Sequence, residues 1–309
     1  MKIIIKPDLD REDVWIEAFG AAWPELECVV WNAAVDPASI DYAFVWNQGD
    51  GALQRFPNLK CIFSLGAGVD HLMRDPDLPA GVPIVRMVEP ELTRGMSEYV
   101  ALHVLRFHRE GPVLEEQQRG RVWNELLTPT APDRRVGFLG FGVLAKACAR
   151  VLGGFGFDLA CWSRNPKTLA GIESFHGQQG LAAFLDRTEI LVCLLPLTPQ
   201  TTGILDKTLF AGLPRGAWLI NAGRGGHQVE EDILAALDSG QLAGAALDVF
   251  RCEPLPADHP FWPHPKITIS PHIASVTQPR SAAREIVANI RRVEAGEAPH
   301  NTVNVTAGY

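Results

Sequence analysis

Val136-Gly-Phe-Leu-Gly-Phe-Gly-Val-Leu-Ala145 is the stretch whose reading decides the fold. A short apolar run, 136–139, ends in Gly140; Gly142 and Ala145 follow, and the chain continues in a helix-like pattern. Gly-x-Gly-x-x-Ala between a strand and a helix is the context of the dinucleotide-binding fingerprint. Gly140 permits the tight turn, Gly142 lets a pyrophosphate approach the backbone, and the small Ala145 lets the helix pack close to the strand. The N–H groups at the helix start, near Val143 and Leu144, have no intrahelical acceptor and would face the phosphate charge.

On both sides of this turn, β-type runs alternate with helical ones. Downstream, the pattern predicts strands over 158–162, 189–195, 217–221, 245–249 and 266–269. Helices are predicted over 181–185, 207–212 and 230–239, with a last one over 280–294 that returns to the first domain. Upstream, candidate strands lie at 3–5, 27–31, 42–46, 60–64 and 83–87, with a helix over 11–19. Met96, Tyr99, Val100, His103, Val104 and Phe107 recur at helical spacing and predict one amphipathic helix over 96–110, bridging two domains. His103 falls in its apolar stripe, the place of a packed histidine. The polar stretch 111–135, with Trp123, reads as an exposed excursion open to an oligomer contact. The fold class implied is α/β: two Rossmann-like domains, flavodoxin-like and dinucleotide-binding, with parallel sheets and the active site in the cleft between them. The expected substrate domain is 1–98 with 278–309, and the cofactor domain 99–277.

Composition narrows the function classes. A net charge of −8 over 309 residues argues against broad nucleic-acid binding, which needs a basic face. No apolar run approaches the length of a membrane span. The first residues, Met1-Lys-Ile-Ile-Ile-Lys6, turn polar too soon for a signal peptide. Six scattered cysteines without Cys-x-x-Cys read as buried free thiols in a reducing cytoplasm rather than metal ligands.

Cofactor preference is written at the end of the second dinucleotide strand. Where an NAD site carries an acid for the ribose hydroxyls, this chain has Ser163-Arg164-Asn165-Pro166-Lys167. Arg164 suits bidentate phosphate contact and Ser163 can donate a hydrogen bond, a pattern that fits the 2′-phosphate of NADP over NAD.

Three polar residues follow successive late strands: Arg224 in Asn221-Ala-Gly-Arg-Gly225, Glu253 in Asp248-Val-Phe-Arg-Cys-Glu-Pro254, and His272 in Ser270-Pro-His-Ile-Ala-Ser275. Carboxyl ends of parallel strands converge on the cofactor crevice, so the three can meet. Hydride addition to a ketone leaves an alkoxide that needs a proton donor, a role for His272. A neighbouring carboxylate favours the imidazolium and orients it, and a guanidinium can hold the carboxylate and polarise the carbonyl of a 2-oxo acid. In the first domain, Leu65-Gly-Ala-Gly-Val-Asp70 offers backbone N–H groups to a small anion, or simply closes a strand-to-helix turn.

In order, Gly-x-Gly-x-x-Ala, Leu195-Pro-Leu-Thr-Pro-Gln-Thr201, Asn221-Ala-Gly-Arg-Gly225, Leu247-Asp-Val-Phe, Glu253-Pro-Leu-Pro256 and Pro271-His-Ile-Ala274 resemble the D-2-hydroxy-acid dehydrogenase family over essentially the whole chain. Val45-Trp46, Cys161-Trp-Ser-Arg164 and the closing Ala307-Gly-Tyr309 are similar to its glyoxylate/hydroxypyruvate reductase A branch; Asn221-Ala-Gly-Arg-Gly225 has the wider family's form. The resemblance implies NADPH, with NADH possible, and small 2-oxo acids such as glyoxylate and hydroxypyruvate. It also implies a homodimer, with 111–135 as its arm. By position it assigns Arg224 to the substrate, Glu253 to the histidine's partner and His272 to the acid. Backbone groups of Ala67, Gly68 and Val69 would bind the substrate carboxylate, with Trp46 lining the pocket. Asp248 and the Ala274 carbonyl would orient the nicotinamide, flanked by Leu195, Pro196 and Ala222. The Glu253/His272 pairing separates the chain from formate dehydrogenases, which need no proton transfer. A phosphoglycerate dehydrogenase is disfavoured because the chain ends at the last helix. Other D-2-hydroxy acids, or a non-enzymic dinucleotide sensor of the same fold, are the competing readings.

Overall fold

The computed structural model describes residues 1–7, 11–32 and 34–308, so Tyr309 of the closing motif lies outside the described residues. The chain divides into two compact units, Met1–Leu92 with Val276–Tyr309, and Thr93–Ser275. The first break falls within the long helix, which starts at Pro90 rather than 96. Proline has no N–H to leave unsatisfied in a first helical turn. Leu92 then joins the first unit's core, while Met96, Val100, Val104 and Phe107 join the second's.

In the first unit, β1 (Lys2–Lys6), α1 (Glu12–Ala22), β2 (Glu27–Val30), β3 (Tyr42–Val45), β4 (Cys61–Ser64), α2 (Asp70–Met73) and β5 (Ile84–Val85) follow in order. The strands form a parallel sheet in the order β2-β1-β3-β4-β5, the flavodoxin-like arrangement. Both faces are covered, which is why the central strands are apolar without alternation. One face carries Ile3, Ile5, Tyr42 and Phe44; the other carries Ile4, Ala43, Val45 and Ile62. Trp15 of α1 packs on Phe44 with ring centroids 4.6 Å apart. The chain's closing helix, Pro279–Glu294, buries Ala282, Ala283, Ile286, Val287 and Ile290 in that same core.

The second unit begins within α3 (Pro90–His108) and continues through α4 (Gly111–Gly120), β6 (Arg135–Leu139), α5 (Val143–Gly153), β7 (Asp158–Ser163), β8 (Ile172–His176) and α6 (Gly177–Asp186). It closes with β9 (Ile190–Cys193), α7 (Lys207–Ala211), β10 (Ala217–Asn221), α8 (Glu230–Asp238), β11 (Leu242–Leu247) and β12 (Ile267–Ile269). Its parallel sheet runs β12-β11-β10-β9-β6-β7-β8. The strand order reverses at β6, beside β9, and that switch point is where open α/β sheets bind nucleotides.

Three local readings need correction. The stretch 111–135 is not all excursion, because α4 forms over Gly111–Gly120. None of its residues is fully buried, so no apolar stripe announced it. β8 was not read at all; its sequence Ile-Glu-Ser-Phe-His belongs to a half-covered sheet edge. The helix expected over 181–185 runs from Gly177 to Asp186. His103 is packed as read, against Tyr99 at 4.4 Å, and burial, aided by the charge of Arg106, pushes its pKa down to about 4. The six cysteines are free thiols, but not all are buried as expected: Cys252, in the loop beside Glu253, is exposed and Cys28 is half-buried. Burial pushes the thiols of Cys28, Cys61, Cys148 and Cys193 up to about 12. Among the described residues no cluster of His, Cys, Asp or Glu could hold a metal, and no helix is long and apolar enough to cross a membrane.

Candidate active site

The carboxyl edge of the second unit's sheet gathers most of the expected residues. Gly140 follows β6 with φ +94°, and a side chain there would sit 2.9 Å from the Leu194 carbonyl and Leu195 nitrogen, so only glycine fits. Gly142 is different. Its φ is −85°, ordinary for any residue, and a Cβ would meet nothing within 4 Å. That open space lies directly before the first turn of α5, where the N–H groups of Val143 and Leu144 lack helical carbonyls. Ala145 is buried against the strand behind. A dinucleotide pyrophosphate fits this cradle: space in front of Gly142, and N–H donors with the positive end of the helix dipole beside it.

At the end of β7, Arg164 is exposed. Ser163 is buried, and its hydroxyl donates to the Asn165 carbonyl at 2.7 Å. That bond closes the turn that presents Arg164. Leu195 and Ala222 are buried just past β9 and β10, and Pro196 follows Leu195.

Asp248, one residue past β11, is 1% exposed and organises the neighbouring loop. Its Oδ1 accepts from the Ser270 hydroxyl at 2.6 Å and from the Ile273 N–H at 2.9 Å; its Oδ2 accepts from the Ala274 N–H at 2.9 Å. Its carbonyl accepts the His272 N–H at 2.8 Å. Tyr99 on α3 hydrogen-bonds to Ser270 at 2.9 Å and extends this clamp. Asp248 is thus first a fastening for the loop carrying His272 and Ala274; Oδ2 retains acceptor capacity for a carboxamide.

The clamp matters because His272 sits at φ +56°, a left-handed conformation uncommon for residues with a side chain, and the clamp's bonds hold it there. Held so, its Nδ1 lies 2.7 Å from Glu253 Oε2. Glu253 Oε1 accepts the Phe250 N–H at 2.8 Å, which fixes the carboxylate plane. Burial pushes the Glu253 carboxyl up. The bonds from His272 and Phe250, with the positive charges of His272 and Arg224, outweigh it and hold the group below the ordinary carboxylate value. With Nδ1 engaged by the carboxylate, Nε2 is the nitrogen left to exchange a proton with a substrate oxygen.

Arg224 opens a 3-10 turn, Gly225–His227, directly after β10. A Cβ on Gly225 would lie 1.9 Å from the Phe250 carbonyl, so the turn presses on backbone and tolerates no side chain. Sequence reasoning overlooked His227, fully buried in this turn, and Gln228, whose side-chain amide donates to the Val249 carbonyl at 2.6 Å. Both act through packing geometry that no spacing rule reveals; a histidine directly following Gly-Arg-Gly-Gly was the only available signal.

In the first unit, Trp46 follows β3, and its ring packs against His71 with centroids 4.1 Å apart. A Cβ on Gly66 would come within 2.8 Å of the Trp46 ring. Among the described residues nothing accepts from the backbone N–H groups of Ala67, Gly68 and Val69, three consecutive donors suited to an anion.

Comparison with known proteins gives a consistent result. The family profile for the D-isomer specific 2-hydroxyacid dehydrogenase, NAD binding domain, matches residues 101–274. The chain is 43% identical to glyoxylate/hydroxypyruvate reductase A of Serratia proteamaculans (strain 568), covering 100% of both chains. A D-isomer specific 2-hydroxyacid dehydrogenase from Xanthobacter autotrophicus Py2, solved with NADPH and MES, is 43% identical with a TM-score of 0.96, over 100% of this chain and 99% of that one. The NADPH-dependent glyoxylate/hydroxypyruvate reductase of Sinorhizobium meliloti, solved with NADP and sulfate, is 40% identical with a TM-score of 0.93, over 100% and 99%. The fingerprint turn, the sheet order and this full-length similarity together make the chain a member of the D-isomer specific 2-hydroxyacid dehydrogenase family.

Proposed function

We propose that the chain is an NADPH-preferring reductase of small 2-oxo acids, glyoxylate and hydroxypyruvate, yielding the 2-hydroxy acids. The observation that carries this reading is the His272–Glu253 pair at 2.7 Å, held by the Asp248 clamp on the same sheet edge as the Gly140–Leu144 cradle. A reduced nicotinamide, when bound, supplies the hydride to the substrate's carbonyl carbon. The Gly142, Val143 and Leu144 backbone would hold the pyrophosphate, and Arg164 the 2′-phosphate. Leu195, Pro196 and Ala222 would form an apolar wall, while Asp248 Oδ2 and the Ala274 carbonyl would orient the carboxamide.

His272 donates its Nε2 proton to the oxygen that becomes the hydroxyl. Glu253 stabilises the charged ring beforehand and keeps its plane fixed. Arg224 pairs with the substrate carboxylate and draws charge toward the carbonyl oxygen. In the first unit, the Ala67, Gly68 and Val69 N–H groups would take a carboxylate, close to the Trp46 ring that Gly66 abuts.

The reading includes a cytoplasmic homodimer. Supporting it are the free cysteines and the apolar surface beyond α4, where Trp123 is 96% exposed, a residue type that a second copy of the chain would cover. Sedimentation equilibrium tests the dimer. The function is tested by mixing purified protein with NADPH and glyoxylate or hydroxypyruvate and following cofactor oxidation. Turnover with a 2-hydroxy acid as product is expected; cofactor binding without turnover of either acid would favour the dinucleotide-sensor reading.

A further inference from the structure

His227 is a fully buried titratable side chain for which the proposed mechanism has no use. Its position is specific. Nδ1 accepts the Arg224 backbone N–H at 3.2 Å, and Nε2 lies 3.3 Å from the Pro196 carbonyl. The Cys193 thiol is 3.8 Å from Nδ1. A backbone N–H can only donate and a carbonyl can only accept, so these contacts define the neutral ring with its proton on Nε2. One imidazole therefore bridges the turn that presents Arg224 and the loop that carries Leu195 and Pro196.

The surroundings leave this bridge little freedom. Gly225 abuts the Phe250 backbone, and a Cβ on Gly226 would come within 2.8 Å of the Leu197 side chain. A Cβ on Gly223 would sit 3.1 Å from the His227 ring itself. Thr201 also donates to the Pro196 carbonyl, at 2.7 Å, so that oxygen is held from two sides. Arg224's own guanidinium donates back to the Gly223 carbonyl at 2.9 Å, which ties the side chain's aim to the turn's backbone.

We infer that His227 is a positioning residue, coupling the aim of the substrate-binding Arg224 to the seat of the nicotinamide wall at Leu195–Pro196 through its two ring nitrogens. The inference rests on the proposed reductase reading for the roles of Arg224 and Pro196. Its chemistry separates the two arms. An asparagine carries an acceptor where Nδ1 stands but cannot reach Pro196. A glutamine carries a donor near the Nε2 position but leaves the Arg224 N–H without its acceptor.

His227→Asn and His227→Gln are to be compared with the wild type in KM for glyoxylate and in NADPH dissociation constant measured by fluorescence. With one buried hydrogen bond lost, His227→Asn should weaken NADPH about tenfold and leave the glyoxylate KM within about threefold; His227→Gln should do the reverse. A general loss of packing would shift both constants alike in both variants, and that result, or no shift in either, overturns the inference. Nitrogen-15 spectra of histidine-labelled wild type, with His227→Asn to assign the signal, should show the neutral Nε2–H form; an Nδ1–H or charged ring overturns it too. If the wild type reduces no 2-oxo acid, the functional reading falls, while the ring's tautomer and the NADPH constants still decide the inference.

Discussion

Replacing Glu253 by glutamine keeps the shape of the carboxylate and removes its charge, so it isolates the electrostatic part of the His272 pair. Reduction needs the imidazolium, the form of the ring that can donate a proton. The size of the change follows from geometry. With Nδ1 and Oε2 2.7 Å apart, the two charge centres are about 4 Å apart. Their attraction is about 1 kcal/mol in bulk water and about 4 kcal/mol at an effective dielectric near 20. Both side chains are 36% exposed, so water screens the pair toward the lower figure, about 1–2 kcal/mol. A loss of that size corresponds to a rate about 5–30-fold lower in Glu253→Gln. The sign is downward: without the carboxylate the charged, proton-donating ring is less favoured. In the wild type, Glu253 is held below its usual 4.5, so its charge persists until the pH falls through that lowered value. At neutral pH the carboxylate is therefore fully charged in the wild type. Single-turnover hydride transfer at neutral pH is the assay, since it excludes product release as the limiting step. A Glu253→Gln rate equal to that of the wild type would refute the electrostatic role and leave Glu253 as a mechanical support.

Arg164→Ala should raise the NADPH KM about tenfold or more and leave that for NADH nearly unchanged, the loss of one charge-assisted contact of about 1.5–3 kcal/mol; steady-state kinetics with both cofactors decide. Gly66→Ala puts a Cβ 2.8 Å from the Trp46 ring, which His71 backs at 4.1 Å. It should cost about 1–3 kcal/mol in urea unfolding and change the relative KM values of glyoxylate and hydroxypyruvate. Tyr99→Phe removes the hydroxyl that braces Ser270 at 2.9 Å. It should lower stability by about 1 kcal/mol and kcat several-fold with the NADPH dissociation constant unchanged.

How much of this was legible in the sequence depended on whether a residue's job is local. Gly140 and Gly142 could be read because a strand-to-helix turn imposes its demands within a few residues. Arg224, Glu253 and His272 could be read because each directly follows a strand, and parallel strands end on one edge. The Asp248 clamp was misjudged in emphasis, since the Ser270, Ile273 and Ala274 donors reach it only in three dimensions. The bond from the Ser163 hydroxyl to the Asn165 carbonyl was not legible, being a matter of turn geometry and not of residue type. α4 and β8 escaped because neither buries a continuous apolar face. His227 escaped for the opposite reason: a histidine enclosed in the core leaves no periodicity, and its ring nitrogens meet the backbone of Arg224 and Pro196.

The central claim is that His272 supplies the proton when a 2-oxo acid is reduced by NADPH. Its most direct test mixes NADPH-loaded wild type and His272→Ala with glyoxylate and follows nicotinamide oxidation in a single turnover at neutral pH. The account predicts rapid oxidation by the wild type. For His272→Ala it predicts an unchanged NADPH dissociation constant and a rate lower by about 10²–10⁴-fold, the loss of one general acid. Transfer at the wild-type rate in His272→Ala, or an inert wild type with bound NADPH, would contradict it.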